Sequence, residues 1–191
     1  EEQGALPSLA SAGGVLEVRH PCLQAGYNQT YARQVRDGVA PSPTKVRLVG
    51  APDWGRCSML ASAVVNATAE CGAPPCTLGT SQPPLRGRLY GLTGFYVIYH
   101  FFGLPTSAPL DMVLAHGERY CKRRWADVEA DYDGVRNVDR YCFRAPYVVA
   151  LLREGLGVLD SQVTIGPGDL AWTMGAALAE GSNLRVADER A

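Results

Sequence analysis

The most aromatic segment of the chain reads GFYVIYHFFGLP, from Gly94 to Pro105. Such a segment could cross a membrane, form a core helix or line a binding site. It is too short to span a bilayer, which takes about 20 apolar residues. One set of apolar residues recurs with helical spacing and predicts a buried stripe, formed by Leu92, Phe95, Ile98, Tyr99 and Phe102. The remaining face carries Tyr96 and His100, four residues apart, and a binding role would use these two side chains.

Six cysteines are the second chemically distinctive set, and their even number fits three disulfides in any of fifteen pairings. They are Cys22, Cys57, Cys71, Cys76, Cys121 and Cys142. Zinc is the competing interpretation, but it requires closely spaced cysteine pairs, and only Cys71 and Cys76 are close together. Asn28 and Asn66 each begin a glycosylation sequon. Cysteines and sequons together favour an oxidising compartment.

Composition and charge exclude several classes of function. The 191 residues are 47% hydrophobic with a net charge of −1, which indicates a globular protein and argues against a nucleic-acid binder. His20, His100 and His116 have no metal-ligand spacing and no Ser/His/Asp arrangement, so we predict no metal site in the chain. The opening residues, EEQGALPSLASAGG, lack the basic and apolar regions of a signal peptide. We interpret the chain as a mature form or a fragment.

Hydrophobic periodicity predicts a mixed α/β order in which helices dominate the second half. The predicted strands are Leu16–Val18, Lys45–Val49 and Val163–Ile165, with a loop over 26–45. The predicted helices are Arg56–Ala69, Leu92–Phe102, Leu110–Asp127, Pro146–Arg153 and Leu170–Glu180. We expect Met59 and Val64 on the buried face of the first helix, and Pro146 as the first residue of the fourth. Asp169 would cap the last helix, and Lys122–Arg124 would lie on a solvated helix face.

Four local patterns follow one another in a fixed order. They are His20–Tyr27 (HPCLQAGY), Cys71–Gly79 (CGAPPCTLG), the Gly94–Pro105 segment, and Tyr141-Cys142 together with Ala171–Gly175 (AWTMG). Between about residues 20 and 180 this set resembles the C-terminal part of an apyrase. Apyrases are nucleoside triphosphate diphosphohydrolases of the secretory pathway and cell surface. The resemblance implies the second lobe of an actin/Hsp70-like (ribonuclease H-like) fold over 15–181, with a flexible lead-in (1–14) and a tail (182–191).

The resemblance also implies an activity. Apyrases hydrolyse nucleoside tri- and diphosphates to monophosphates with a divalent cation, Ca²⁺ or Mg²⁺. Their phosphate-binding loops, catalytic carboxylate and metal-positioning aspartates precede the His-Pro-Cys motif, and Ala12-Gly13-Gly14 lacks the pattern of such a loop. We therefore expect this chain to be inactive alone. It would supply the nucleobase side of a cleft shared with a missing N-terminal lobe.

The location that follows from the resemblance is the Golgi lumen, the cell surface or the extracellular space. Any membrane anchor would lie outside the chain, and no nucleic acid would be a partner. A second hypothesis is a non-enzymatic, disulfide-stabilised extracellular binding domain. The two hypotheses differ in what precedes residue 1, because the enzyme requires a phosphate loop and a catalytic carboxylate there.

Roles for individual residues follow from the same resemblance. The family sandwiches the nucleobase between an aromatic ring of the Gly94–Pro105 helix and an arginine. Tyr96 is the candidate aromatic, although the stacking tyrosine of animal members aligns with Val97. Arg136 and Arg140 are the candidate arginines, and Asn137 occupies the best-aligned position. A guanidinium can stack on a base, and stacking tolerates many bases because each presents a π-face.

Structural roles complete the set. The implied disulfides are Cys22–Cys57, Cys71–Cys76 and Cys121–Cys142. Trp172 lies in the family's last signature block, and we interpret it as a packed core tryptophan. The small residues after it, Gly175 to Ala177, would let that helix pack closely against another element, so that Trp172 would act by positioning the lobes.

Overall fold

A computed structural model of the chain describes residues 11–12, 15–32, 45–72, 78–79, 83–167 and 172–188. The strands are β1 (Ser11–Ala12), β2 (Val15–His20), β3 (Asn28–Ala32), β4 (Lys45–Gly50), β5 (Leu89–Gly91) and β6 (Val163–Ile165). The helices are α1 (Trp54–Val65), α2 (Gly94–Phe101), α3 (Leu110–Cys121), α4 (Trp125–Asp131), α5 (Tyr141–Ala150) and α6 (Trp172–Asp188). The chain divides into two units: the first contains 1–64 and 115–147, the second 65–114 and 148–191.

A four-stranded sheet in the order β1-β2-β4-β3 belongs to the first unit. Strands β2 and β4 are parallel, and β1 and β3 pair antiparallel at the two ends. The predictions of β2 and β4 are confirmed. The predicted loop over 26–45 is wrong where β3 lies, because an edge strand whose residues are all exposed has no apolar alternation to detect. Ser11–Ala12, part of the predicted lead-in, pairs with β2.

Helix α1 buries a different face from the one predicted. Asp53 caps the N-terminus of the helix, because its Oδ1 accepts the Arg56 N–H at 3.0 Å. Met59 is 65% exposed and Val64 is also exposed. The buried positions are Cys57, Ala61 and Val65, one helical turn apart. The disulfide from Cys57 to Cys22 holds this face inward, a constraint that hydrophobicity alone does not reveal.

The predicted helix Leu110–Asp127 is two helices, α3 and α4. The chain leaves helical geometry because the Trp125 N–H donates to the Ala25 carbonyl at 2.9 Å. Lys122–Arg124 therefore form a turn rather than a helix face. Each of these basic residues pairs with an acid: Lys122 with Glu118, Arg123 with Asp131 and Arg124 with Asp127.

Helix α5 begins at Tyr141, so the prediction that Pro146 starts a helix is wrong. Pro146 lies buried inside α5. A proline cannot donate to the carbonyl four residues earlier, here that of Cys142, and the Cys57 Sγ lies 3.7 Å from this oxygen. The helix continues as a π-helical turn over Leu151–Gly155. Local propensity would place this proline in the first turn of a helix, but the packing around the disulfides accommodates it inside α5.

Two of the implied disulfides are confirmed. Cys22 is bonded to Cys57, and Cys121 to Cys142. Cys71 is disulfide-bonded as well, whereas Cys76, its implied partner, lies outside the described residues. All four cysteines of the two confirmed bonds are buried. Close packing accompanies them, since a Cβ on Gly117 in α3 would lie 2.4 Å from the Cβ of Ala145 in α5.

The second unit contains the parallel pair β5–β6 and an ionic cluster centred on Arg153. The Arg153 guanidinium donates to both carboxylate oxygens of Asp160, at 3.1 and 2.8 Å, and to Asp111 at 2.9 Å. Asp160 also accepts the Leu110 N–H at 3.1 Å. The cluster thus fixes the first turn of α3 to the segment before β6. The Arg153 hydrogen bonds hold the pKa of Asp160 below its ordinary value.

Helix α6 is longer than predicted, and its start is exposed. Trp172 is 60% exposed, so the expectation of a core tryptophan is wrong for this chain. A Cβ on Gly175 would meet nothing within 4 Å, so Gly175 does not pack closely against another helix in the described part of the chain. Asp169, the predicted cap, lies outside the described residues. Within the described part of the chain, no helix has both the length and the apolar character needed to cross a membrane.

Candidate functional site

Helix α2 is held at both ends by its backbone. Its C-terminus is a Schellman motif, in which Gly103 has a φ of +63°. The Gly103 N–H donates to the His100 carbonyl at 3.1 Å, and the Leu104 N–H donates to the Tyr99 carbonyl at 2.9 Å. Gly103 thus acts as a glycine C-cap, which ends the helix. At the other end Thr93 has a φ of +53°, which is rare for a β-branched residue.

The apolar face of α2 anchors the helix in the second unit. Ile98 and Tyr99 are buried, while Phe95 and Phe102 are half-buried. The Tyr99 hydroxyl donates to the Ala108 carbonyl at 3.0 Å. Burial, together with the nearby charge of Asp160, raises the pKa of Tyr99 to about 12. The phenol therefore stays protonated at physiological pH and keeps this bond.

The opposite face of α2 presents Tyr96 and His100 as one stacked pair. Their rings are nearly parallel, with an interplanar angle of 13° and centroids 5.5 Å apart. Tyr96 is half-buried, and His100 is exposed. His100 thus covers one side of the Tyr96 ring. A planar ligand stacking on Tyr96 would use the other side of the ring.

Arg136 and Arg140 lie in the first unit, on a short segment between α4 and α5. Asn137, between them, is left-handed with a φ of +61°, and a single 3-10 turn follows over Val138–Arg140. Both arginines are exposed, and neither forms an ion pair with another described residue. Their guanidinium planes are therefore available to a ligand in the described part of the chain. Tyr96 belongs to the second unit.

Tyr27 of the His-Pro-Cys motif contacts the segment that carries the two arginines. Tyr27 is buried edge-on against Trp125, with ring centroids 4.8 Å apart. Its hydroxyl lies 2.5 Å from the Tyr31 hydroxyl and 3.4 Å from Oδ2 of Asp139. Burial is the main cause that raises the pKa of Tyr27. Sequence reasoning missed Asp139, whose link to Tyr27 joins the motif to the segment that carries Arg140.

Gln24 and His20 of the same motif have structural positions. Gln24 is fully buried, and its side-chain amide has no hydrogen-bond partner of normal geometry among the described residues. Burial raises the pKa of Tyr120, and the nearby Gln24 amide acts in the opposite direction. The Nδ1 of His20 accepts the Cys22 N–H at 3.1 Å. Burial lowers the pKa of His20, which keeps the ring neutral and able to accept this bond.

Both sequons lie on the surface. Asn28 is the first residue of β3, and Asn66 follows α1 with a φ of +50°. Both asparagines are exposed.

The described residues do not fit a divalent-cation site. Among them, no group of three or more His, Cys, Asp or Glu side chains could hold a metal ion. The acids of the Arg153 cluster are already paired with that guanidinium. No reaction step can therefore be derived through a cation held by these residues.

Comparisons with known proteins extend the sequence resemblance. A family model described as the GDA1/CD39 (nucleoside phosphatase) family matches residues 3–189. The chain is 41% identical to the probable apyrase 7 of Arabidopsis thaliana over 87% of its length, which is 24% of that protein. It is 32% identical to the human ectonucleoside triphosphate diphosphohydrolase 8 over 84% of its length, which is 36% of that protein. The chain thus spans between a quarter and two fifths of these relatives.

Proposed function

The chain belongs to the GDA1/CD39 (nucleoside phosphatase) family, and on that premise we propose that it is part of an apyrase. The enzyme would hydrolyse nucleoside tri- and diphosphates to monophosphates. The observation that carries the proposal is the family match over almost the whole chain, joined to relatives named apyrase and ectonucleoside triphosphate diphosphohydrolase. The confirmed disulfides support a secretory location.

In this proposal the chain forms part of the second lobe of an actin/Hsp70-like fold and contributes to nucleobase binding. The water-activating carboxylate, the phosphate-binding loops and the ligands of the divalent cation come from the other part of the enzyme. The cation would neutralise charge on the phosphate oxygens. The described residues of this chain bind and orient the base.

Tyr96 is the proposed stacking residue. Its ring has one side against His100 and the other directed away from it, and rigid α2 sets its orientation. Stacking contributes about 1–3 kcal/mol per base, and it contributes equally to the ground state and the transition state when the base is remote from the reacting phosphorus. Loss of the ring should therefore raise KM more than it lowers kcat.

The test compares Tyr96→Ala with Tyr96→Phe in the full gene product, using purine and pyrimidine nucleotides. We expect KM to rise about tenfold in Tyr96→Ala, more for purines, with Tyr96→Phe close to wild type. Tyr90→Ala is the matched control, because Tyr90 is an exposed tyrosine of the same unit on β5. Equal KM values in Tyr96→Ala and Tyr90→Ala would refute the role of Tyr96.

Arg136 and Arg140 are proposed as alternatives for the opposing face of the base. Each is tested by Arg→Ala and by Arg→Lys, since lysine keeps the charge but loses the planar guanidinium. The stacking residue should show the same KM increase in both substitutions. An arginine that only attracts phosphate should be rescued by lysine.

A phosphate-release assay tests the division of labour between the two parts of the enzyme. The chain alone should release no phosphate from ATP or ADP with Ca²⁺ or Mg²⁺, and the full gene product should release it. Turnover by the chain alone would contradict the proposal. The alternative of a non-enzymatic binding domain predicts no turnover from either, and no phosphate loop or catalytic carboxylate upstream of residue 1.

A further inference from the structure

Strand β3 leaves one edge of the sheet open in the described part of the chain. It is the last strand in the order β1-β2-β4-β3, and all its residues are exposed. The Gly50 N–H donates to the Tyr27 carbonyl at 2.9 Å. Because antiparallel bonding alternates along a strand, the backbone groups of Asn28 and Thr30 are directed away from β4. Such a row can pair with a strand of another molecule.

The usual protections of an edge strand are absent from β3. Proteins guard open edges with lysine, proline or inward charges, and β3 reads NQTYA. At the other end of the sheet, the described part of β1 has two residues, and very short edge strands pair poorly with other chains. What β3 carries instead is a sequon, and its two defining residues, Asn28 and Thr30, are the ones with outward backbone groups.

We propose that Asn28 carries an N-linked glycan that blocks pairing of the β3 edge with a second copy of the chain. The proposal rests on the secretory location given above. Transfer joins the Asn28 amide nitrogen to C1 of an oligosaccharide, displaces the lipid diphosphate that carried the sugar, and releases one amide proton. The donor is the lipid-linked oligosaccharide of the secretory pathway.

The surroundings of Asn28 suit such a glycan. Asn28 is exposed, and its amide forms no side-chain hydrogen bond with the described residues. Thr30 lies on the same face of β3, opposite Arg47 of β4, which pairs with Glu17 of β2 at 3.7 Å. Charged side chains, among them Arg47 and Glu17, make most of this face polar, and Val49 is the residue opposite Asn28. A glycan on Asn28 therefore extends into solvent beside the edge.

The second sequon provides an internal control. Asn66 lies after α1, outside any strand, and its backbone borders no sheet edge. A glycan on Asn66 reports that the protein entered the secretory pathway, but it has no edge to protect. Occupancy of the two sites therefore separates the location of the protein from the role of the β3 glycan.

The experiment uses the full gene product secreted from a glycosylating host. Peptide mass spectrometry before and after enzymatic deglycosylation measures occupancy of Asn28 and Asn66. Light scattering after size exclusion measures self-association of three substitutions at one position. Thr30→Ser keeps the sequon, Thr30→Ala removes it, and Thr30→Glu removes it while adding a charge opposite Arg47. Asn66→Gln is the control for loss of a glycan elsewhere.

We expect Asn28 to be occupied and Thr30→Ala to self-associate at about tenfold lower concentration than wild type, the effect of one or two added backbone hydrogen bonds. Thr30→Ser, Thr30→Glu and Asn66→Gln should behave as wild type. An empty Asn28 beside an occupied Asn66 would overturn the proposal and leave the secretory location intact. Two empty sites would overturn both. An occupied Asn28 with a monomeric Thr30→Ala protein would refute the guarding role.

Discussion

Replacement of Asp160 by asparagine tests the ionic cluster of the second unit. The Asp160 carboxylate accepts two hydrogen bonds from Arg153 and one from the Leu110 N–H at the start of α3. In Asp160→Asn the amide can keep the Leu110 bond through its oxygen. Its NH₂ group, however, would replace Oδ1 and face the Arg153 Nε–H, donor against donor. Arg153 would then keep its contact with Asp111 and a weaker bond to the uncharged amide oxygen that replaces Oδ2.

The expected loss follows from these contacts. A hydrogen bond to a charged group contributes about 1.5–3 kcal/mol; the bond from the Arg153 Nε is lost, and the bond from its NH₂ group is weakened because its acceptor is no longer charged. The Asp160 side chain is 32% exposed, so solvent screens part of this energy. We expect the free energy of local opening to fall by about 2–3 kcal/mol. Asp111→Asn is the matched control: its side chain is 76% exposed and makes a single contact, so its effect should stay below about 0.5 kcal/mol.

The effect of Asp160 should depend on pH in a defined direction. Its pKa is lowered in the folded state, chiefly by the Arg153 hydrogen bonds. A group whose pKa is lower in the folded state than in the unfolded state contributes its full stabilisation above the unfolded pKa, which is about 3.9 for aspartate. This stabilisation is lost as pH falls through the lower, folded value. The difference between wild type and Asp160→Asn should therefore be constant above about pH 5 and shrink below about pH 4.

Hydrogen exchange followed by mass spectrometry measures the free energy of local opening in each segment of the chain. Peptides covering the first turn of α3 should exchange about 30–100-fold faster in Asp160→Asn at neutral pH, and peptides of the four-stranded sheet should not change. The reasoning would be refuted by equal exchange in Asp160→Asn and Asp111→Asn. A difference between wild type and Asp160→Asn that persists unchanged below about pH 3 would also refute it, since protonation should remove the carboxylate's advantage.

Three further predictions concern the packing of the chain, each measured by thermal unfolding of the full gene product. Gly117→Ala should destabilise the protein by about 1–3 kcal/mol through overpacking. Gly175→Ala, in open space on α6, should be neutral or stabilising by up to about 1 kcal/mol. The reverse order of the two effects would contradict the described helix contacts. Removing the bond between Cys121 and Cys142 by a double serine substitution should cost about 3 kcal/mol, and a loss below about 1 kcal/mol would show that the open chain is already constrained there. Gln24→Met should change stability by less than about 1 kcal/mol, because the buried amide has no hydrogen-bond partner of normal geometry among the described residues; a loss above about 2 kcal/mol would show that its interaction with Tyr120, or a bound water, stabilises the fold.

Strands and helices with strong periodicity were predictable, and elements set by tertiary contacts were not. Helix α2 follows from its apolar stripe and its glycine cap. The break between α3 and α4 does not, because it depends on a hydrogen bond to Ala25, about a hundred residues earlier in the chain. The buried face of α1 and the internal position of Pro146 likewise depend on the disulfides. Strand β3 has no periodicity because neither of its faces is buried.

The exposed start of α6 shows a different limit. Apolar residues at helical spacing normally indicate a buried stripe, yet Trp172, Met174 and Leu178 are all exposed in this chain. An apolar helix face is buried within a chain only when the surface that covers it belongs to the same chain. The chain spans between a quarter and two fifths of the relatives compared with it. The role of Trp172 in positioning the lobes therefore stays a prediction for the full gene product.

The candidate site was less predictable than the motifs for a physical reason. The His-Pro-Cys motif is recognisable because its residues are tightly constrained: Cys22 is buried in a disulfide, Tyr27 is buried against Trp125, and a Cβ on Gly50 would lie 1.8 Å from the Gln24 carbonyl oxygen. Few other side chains fit such positions. The candidate binding residues are half-buried or exposed, where packing imposes no comparable restriction.

Tyr96 illustrates the consequence. Stacking on a base requires a flat ring at a given height on α2, and a ring at position 96 or at position 97 could meet that requirement from adjacent points on the helix surface. The resemblance to the family predicts the stacking ring at position 97, where this chain has valine, whereas the ring present at this point of α2 is Tyr96, stacked on His100. If this contact matters, His100→Ala should weaken nucleotide binding in wild type but have no further effect in Tyr96→Ala. Additive effects of the two substitutions on KM would show instead that His100 acts independently of the tyrosine.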